Sequence, residues 1–181
     1  MRRNALLIQA YAHRETPSKE NFEIASVPSH KARALCVARP VHAFTMSLLT
    51  YLVEDNSLIR ENLISMLEDL TEVRVVDHTD TEKLAIDWLS DRHNTCDLAV
   101  IDLFLREGTG LGVLSACAEI KPGCALVVLS NYTTPEVRRR AAALGADRVF
   151  DKSSELDNFV QYCWELTDGR QSAHQAASPR N

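Results

Sequence analysis

The chain has 181 residues, 45% of them hydrophobic and 25% charged, with a formal net charge of −5. That allows one domain with extensions and a core of useful size, and no apolar stretch approaches the ~20 residues of a membrane span. Residues 1–45 hold seven Lys/Arg against three Asp/Glu, and residues 46–181 thirteen against twenty-two. An acidic main body argues against sequence-independent nucleic-acid binding, which rests on phosphate neutralisation.

Residues 1–45 show no sustained period, mixed charge, three prolines and three of the six histidines. Three readings stay open for them: a disordered arm, a non-native extension ahead of a start at Met46, or a partner-binding segment. The run Ala5-Leu6-Leu7-Ile8 is too short for a signal-peptide core. From Leu48 the chain alternates strand-like and helix-like segments five times. The predicted strands are Leu48–Val53, Val73–Asp77, Leu98–Asp102, Ala125–Ser130 and Arg148–Phe150. Between the first two, Leu58, Leu63, Met66, Leu67 and Leu70 keep helical spacing, and Leu84, Ala85, Trp88 and Leu89 do so in the next connection. Thr79-x-x-Glu82 reads as a capping box, Thr134-Pro135 as a helix start, and Gly145 as the cap that ends the helix Val137–Leu144. Ser153 or Ser154 opens the last helix, which is expected to reach about Thr167. The polar segment from Asp168 to Asn181 reads as a disordered tail. Five βα units in residues 46–167 predict an α/β domain with a five-stranded, doubly wound parallel sheet.

Polar groups stand where these strands end. Glu54-Asp55 follows the first, Asp102 closes the third, Ser130 closes the fourth, and Lys152 follows the fifth. In an open parallel sheet those ends lie side by side, and ligands bind there. Three carboxylates, a hydroxyl and an ammonium at one edge suit phosphoryl chemistry with a hard divalent cation, which takes oxygen ligands and needs few carboxylates.

Val53-Glu54-Asp55-Asn56, Ile101-Asp102-Leu103-Phe104-Leu105, Leu129-Ser130 and Phe150-Asp151-Lys152, with Gly110 in the loop after Asp102, resemble the receiver domain of bacterial two-component response regulators over roughly residues 47–167. The resemblance implies a flavodoxin-like (βα)5 receiver fold and a phosphoacceptor at Asp102. It implies Mg²⁺ held directly by Asp55 and Asp102, through water by Glu54, and by the backbone carbonyl of Phe104. Lys152 and Ser130 would contact the phosphoryl oxygens. The partners implied are a sensor histidine kinase or histidine phosphotransfer protein and a downstream protein target, in the cytoplasm, without direct contact to nucleic acid or membrane. Such a protein is no metabolic enzyme; it catalyses only its own Mg²⁺-dependent aspartyl phosphorylation and dephosphorylation. A single-domain response regulator is the expectation; a phosphorelay intermediate and a phosphorylation-independent module of the same fold are the alternatives.

The sequence also departs from the family pattern. Val149 stands where many receivers have an aromatic switch residue, and Phe150 should face the opposite side of the sheet. Arg106 stands where proline is frequent, Ser153 follows Lys152 in place of proline, and Asn131 replaces a small residue after the hydroxyl. Phe104 and Tyr132 flank the water path to an acyl phosphate, so Phe104, Asn131 and Tyr132 are expected to modulate access. Gly108-x-Gly110-x-Gly112 lacks the dinucleotide-loop spacing and reads as loop and helix-start glycines. Arg138-Arg139-Arg140 cannot form one stripe on a helix. It is either a solvated face or a contact with acidic residues of a second copy in a homodimer. The five cysteines form no C-x-x-C pair and are odd in number, so neither zinc nor a disulfide framework is expected, and a reduced compartment is.

Overall fold

The computed structural model of the protein describes residues 47–117, 120 and 123–177. The N-terminal extension, Met46 and Cys36 lie outside these. The elements alternate strictly: β1 (Leu48–Val53), α1 (Ser57–Leu70), β2 (Val73–Thr79), α2 (Glu82–Ser90), β3 (Leu98–Ile101), α3 (Gly110–Cys117), β4 (Ala125–Ser130), α4 (Pro135–Ala143), β5 (Arg148–Asp151) and α5 (Leu156–Ala177). All neighbouring strands are parallel, in the order β2-β1-β3-β4-β5. The five-stranded doubly wound α/β fold expected from the sequence is present.

Alternation along the buried strands builds two cores. Leu48, Leu52, Leu98, Val100, Val127 and Leu129 face one side, where α1 contributes Leu63, Met66 and Leu67 and α5 contributes Phe159, Val160 and Cys163. Tyr51, Val53, Ala99, Ile101, Leu126 and Val128 face the other, against Ala85 and Leu89 of α2, Val113 and Leu114 of α3, and Ala141 of α4. Strands buried on both faces read as continuous apolar runs, which is why β1, β3 and β4 were evident in the sequence. Phe150 joins the first core and Val149 the second, as alternation requires.

The helix punctuation is partly as expected. Thr134 caps α4, accepting from the Val137 N–H, with Pro135 in the first turn. At its other end Gly145 has φ of 93°. There the Gly145 N–H donates to the Ala142 carbonyl and the Ala146 N–H to the Ala141 carbonyl, a Schellman ending. The capping box at Thr79 does not form. Thr79 is the last residue of β2, and its carbonyl accepts from the Glu54 N–H. Thr81 caps α2 instead, accepting from the Leu84 N–H. The last helix begins at Leu156 because Ser153 and Ser154 are engaged by Asp151 through their N–H and hydroxyl groups.

The C-terminal boundary also needs correction. Residues 168–177, expected as disordered tail, continue α5 as far as Ala177. The first half of the helix is already anchored: Phe159, Val160 and Cys163 are buried, and Trp164 donates to the Leu70 carbonyl. Once a helix is nucleated, adding turns costs little, and Arg170 gains an ion pair with Asp97 at 2.5 Å.

Candidate functional site

Strand order reverses between β1 and β3, with β2 on one side and β4 and β5 on the other, and the crevice at such a point is where open α/β sheets bind ligands. Three backbone hydrogen bonds carry the ladder one residue past the strands at that edge. The Glu54 N–H donates to the Thr79 carbonyl at 2.9 Å, Asp102 to Val53 at 2.9 Å, and Lys152 to Ser130 at 3.1 Å. The side chains singled out in sequence are thereby fixed by the sheet itself.

Lys152 is the hub. Its Nζ donates to Glu54 Oε2 and to Asp102 Oδ2, the latter at 2.7 Å. Glu54, Asp102 and Lys152 are all buried. Asp55 is exposed, yet one oxygen each from Glu54, Asp55 and Asp102 lie within 4.8 Å of one another. Burial pushes the Glu54 carboxyl above the ordinary range; Lys152 opposes that shift and the Asp102 charge adds to it. One ammonium against three carboxylates leaves an excess of negative charge. A hard cation with oxygen ligands would relieve it, so the donor set fits Mg²⁺. The other Asp102 oxygen, Oδ1, accepts from the Leu103 N–H at 2.6 Å. Ser130 Oγ is buried and has no hydrogen-bond partner among the described residues. A buried hydroxyl left unmatched is costly unless another group comes to meet it.

The rim is aromatic. Phe104 is 62% and Tyr132 53% exposed, and their rings meet edge to face with centroids 5.7 Å apart. They follow Asp102 and Ser130 by two residues each, and the structure brings their rings into contact. Asn131, next to Ser130, is exposed.

The three glycines after Asp102 have a structural reason. A Cβ on Gly110 would collide with the Asp102 carbonyl oxygen, so only glycine lets the loop fold back over the strand end. Side chains on Gly108 or Gly112 would strike Glu82, whose carboxylate accepts from the Thr109 N–H at 2.6 Å. Glu82 thus ties α2 to the loop after Asp102, a role the sequence did not reveal. Arg106 adds a second tie to Asp80.

A family model described as the response regulator receiver domain matches residues 50–163. The chain belongs to the response regulator receiver domain family. No curated protein matches it significantly. Among solved structures, the receiver domain of NarL from Mycobacterium tuberculosis is similar at 20% identity and a TM-score of 0.60, covering 68% of this chain and 98% of that one. A CheY-like receiver protein from Methanospirillum hungatei JF-1 is similar at 19% identity and a TM-score of 0.59, covering 71% and 99%. A Burkholderia pseudomallei response regulator, solved with a phosphorylated aspartic acid and a calcium ion, is similar at 18% identity and a TM-score of 0.56, covering 72% and 75%.

Within this receiver domain the backbone of Val149 is bound by an arginine. Arg138 of α4 donates to the Val149 carbonyl at 2.6 Å, to the Thr133 carbonyl at 3.1 Å, and to Glu155 Oε2 at 2.5 Å. The same Glu155 oxygen accepts from the Asp151 N–H, and Asp151 Oδ2 accepts from the Thr133 hydroxyl. One cluster therefore binds the loop after Ser130 to the turn that carries Lys152. Arg138 is engaged within its own chain, and Arg139 pairs with Glu136. Arginine's fixed fork of donors suits Arg138 to several acceptors at once. Spacing alone could not single it out from its neighbours.

Proposed function

We propose that the protein accepts a phosphoryl group on Asp102 from a histidine kinase or histidine phosphotransfer protein in the cytoplasm, and signals by phosphorylation-dependent binding to a protein target. The observation that carries this reading is the buried, unpartnered Ser130 hydroxyl beside a lysine that already bridges Glu54 and Asp102. In the transfer, an Asp102 carboxylate oxygen forms a bond to phosphorus. The bond from phosphorus to the donor's imidazole nitrogen breaks, and that nitrogen keeps the electron pair. Lys152 follows the new negative charge and contacts a phosphoryl oxygen, and Ser130 donates to another. Asp55 and Asp102 directly, Glu54 through water, and the Phe104 carbonyl would hold Mg²⁺, which when bound offsets carboxylate charge against the incoming phosphoryl group.

Movement of Ser130 toward the phosphoryl group would pull on residues 131–135, and hence on the Thr133–Arg138–Glu155 cluster. That cluster is the two-state element the reading requires. A phosphorelay intermediate is the second reading, favoured by Val149 at the aromatic position. Transfer of label from the protein to a histidine phosphotransfer domain, without phosphorylation-dependent target binding, would select it.

The test is intact-mass analysis after incubation with Mg²⁺ and phosphoramidate, beside Asp102→Asn. A single Mg²⁺-dependent phosphoryl adduct, lost in the variant, is expected. Absence of an adduct where a reference receiver is labelled would select the phosphorylation-independent module. The contact between Phe104 and Tyr132 supports a barrier to water over the acyl phosphate. Replacing both by Asn should shorten the phosphoryl lifetime severalfold in a decay assay, and an unchanged lifetime removes that role.

A further inference from the structure

Cys96 and Cys124 are 28 residues apart in sequence, yet they meet at the opposite edge of the sheet with their Sγ atoms 3.1 Å apart. Cys96 stands just before β3 and Cys124 just before β4. The residues that follow them share the first hydrogen bond between those strands, from the Ala125 N–H to the Asp97 carbonyl at 2.8 Å. Asp97 is held on its other side as well. Its N–H donates to the Leu49 carbonyl, and its carboxylate accepts from the Leu49 N–H and pairs with Arg170. The approach of the two thiols is therefore set by the sheet. Cys96 is only 9% exposed, whereas Cys124 is half-buried, so a reagent reaches Cys124 first.

We propose that Cys96 and Cys124 are a site of reversible oxidation, closing to an intramolecular disulfide in exchange with a low-molecular-weight disulfide. Cys124, as thiolate, attacks the small disulfide and releases one thiol; Cys96 then displaces the second. Two S–H bonds break and one S–S bond forms within the protein, and the small disulfide takes up two electrons and two protons to leave as two thiols. A disulfide needs its sulfurs about 2 Å apart, roughly 1 Å closer than the thiols now stand. Cys163 offers a contrast. It is fully enclosed in the other core, and burial pushes its thiol up to about 12, out of reach of exchange at neutral pH.

The ring closed by this bond holds β3, Asp102 and α3. Asp102 lies at the far end of β3, roughly 20 Å from Cys96 at the rise of an extended chain. The bond would restrict the unfolded chain and leave the phosphoryl chemistry alone.

The experiment equilibrates the full-length protein in glutathione buffers of graded ratio, alkylates it, and reads intact mass and cross-linked peptides. Two fewer alkyl groups than in the reduced protein, with a Cys96–Cys124 cross-linked peptide, are expected, together with a thermal midpoint raised by roughly 5–10 °C. Dithiothreitol should reverse both, and Cys124→Ser, at a half-buried position, should abolish both. A glutathione adduct that never closes, a cross-link between other cysteines, or no oxidation in a buffer that oxidises a reference dithiol would each overturn the proposal. The disulfide mapping does not depend on Asp102, so it stands or falls separately from the phosphorylation assay.

Discussion

Where the strands begin, Asp97 and Asp147 each use a carboxylate to finish a neighbouring strand; where the strands end, Glu54 and Asp102 share a single lysine. Asp97 exchanges hydrogen bonds with Leu49, N–H to carbonyl at 2.7 Å and carboxylate from N–H at 3.0 Å, and Asp147 does the same with Leu126 at 2.7 Å for both. These carboxylates satisfy backbone donors that would otherwise be orphaned. At the other edge Lys152 holds two buried carboxylates, a third lies close by, and the Ser130 hydroxyl has no partner among the described residues. The same residue type is thus a source of stability at one edge and of unrelieved charge at the other. Groups arranged to receive a ligand are left short of partners until it comes, and the fold offsets that cost elsewhere.

The largest effect is expected at Gly110. Gly110→Ala drives a methyl group into the Asp102 carbonyl, and a loss of about 3 kcal/mol is expected in denaturant unfolding, with phosphoryl labelling lost as well. A variant as stable as the parent would mean that the loop does not depend on this close approach. Next in size is Asp97→Ala, which strands the Leu49 N–H and breaks the pair with Arg170; about 2 kcal/mol of stability should go, with labelling of Asp102 retained.

Removal of a carboxylate at the opposite edge should have the opposite sign. Asp102→Asn relieves the carboxylate cluster while Lys152 keeps Glu54, so without divalent cation it should raise stability by about 1 kcal/mol. Stability gained by the loss of Asp97, or lost with Asp102, would reverse the distinction between the two edges.

The smallest effect concerns the turn before Lys152. The Ser153 hydroxyl foremost, with the Ser153 N–H and the Thr133 and Ser154 hydroxyls, outweighs the opposing effect of burial and holds the Asp151 carboxyl down to about 2 from an ordinary 3.8. Hydrogen bonding from Arg138 lowers Glu155 as well. A depressed carboxyl contributes stability that is fully present above its unfolded value and is lost as pH falls through its folded value. The contribution of Asp151 should therefore vanish between about pH 4 and pH 2. Unfolding midpoints of Asp151→Asn should fall less over that window than those of the parent. Parallel curves would show that the turn does not couple to acid.

The fold, and the set of polar groups that gather at the strand ends, could be read from local pattern alone. Strands buried on both faces must be apolar throughout, helices need one apolar face, and turns need their glycines and prolines, so local pattern and architecture agree. Glu54, Asp55, Asp102, Ser130 and Lys152 were legible because each stands directly at or after a strand end, and a parallel sheet brings those ends together. What joins residues distant in sequence without such a marker was decided only by tertiary packing. Arg138 looks like its two neighbours until α4 is laid against β5, and Glu82 is an ordinary first-turn carboxylate until Gly108 and Gly112 make room for it. The last turns of α5 read as tail until Arg170 meets Asp97. Cys96 and Cys124 show no pairing in their spacing, because only the packing of the segments that enter β3 and β4 brings their thiols together.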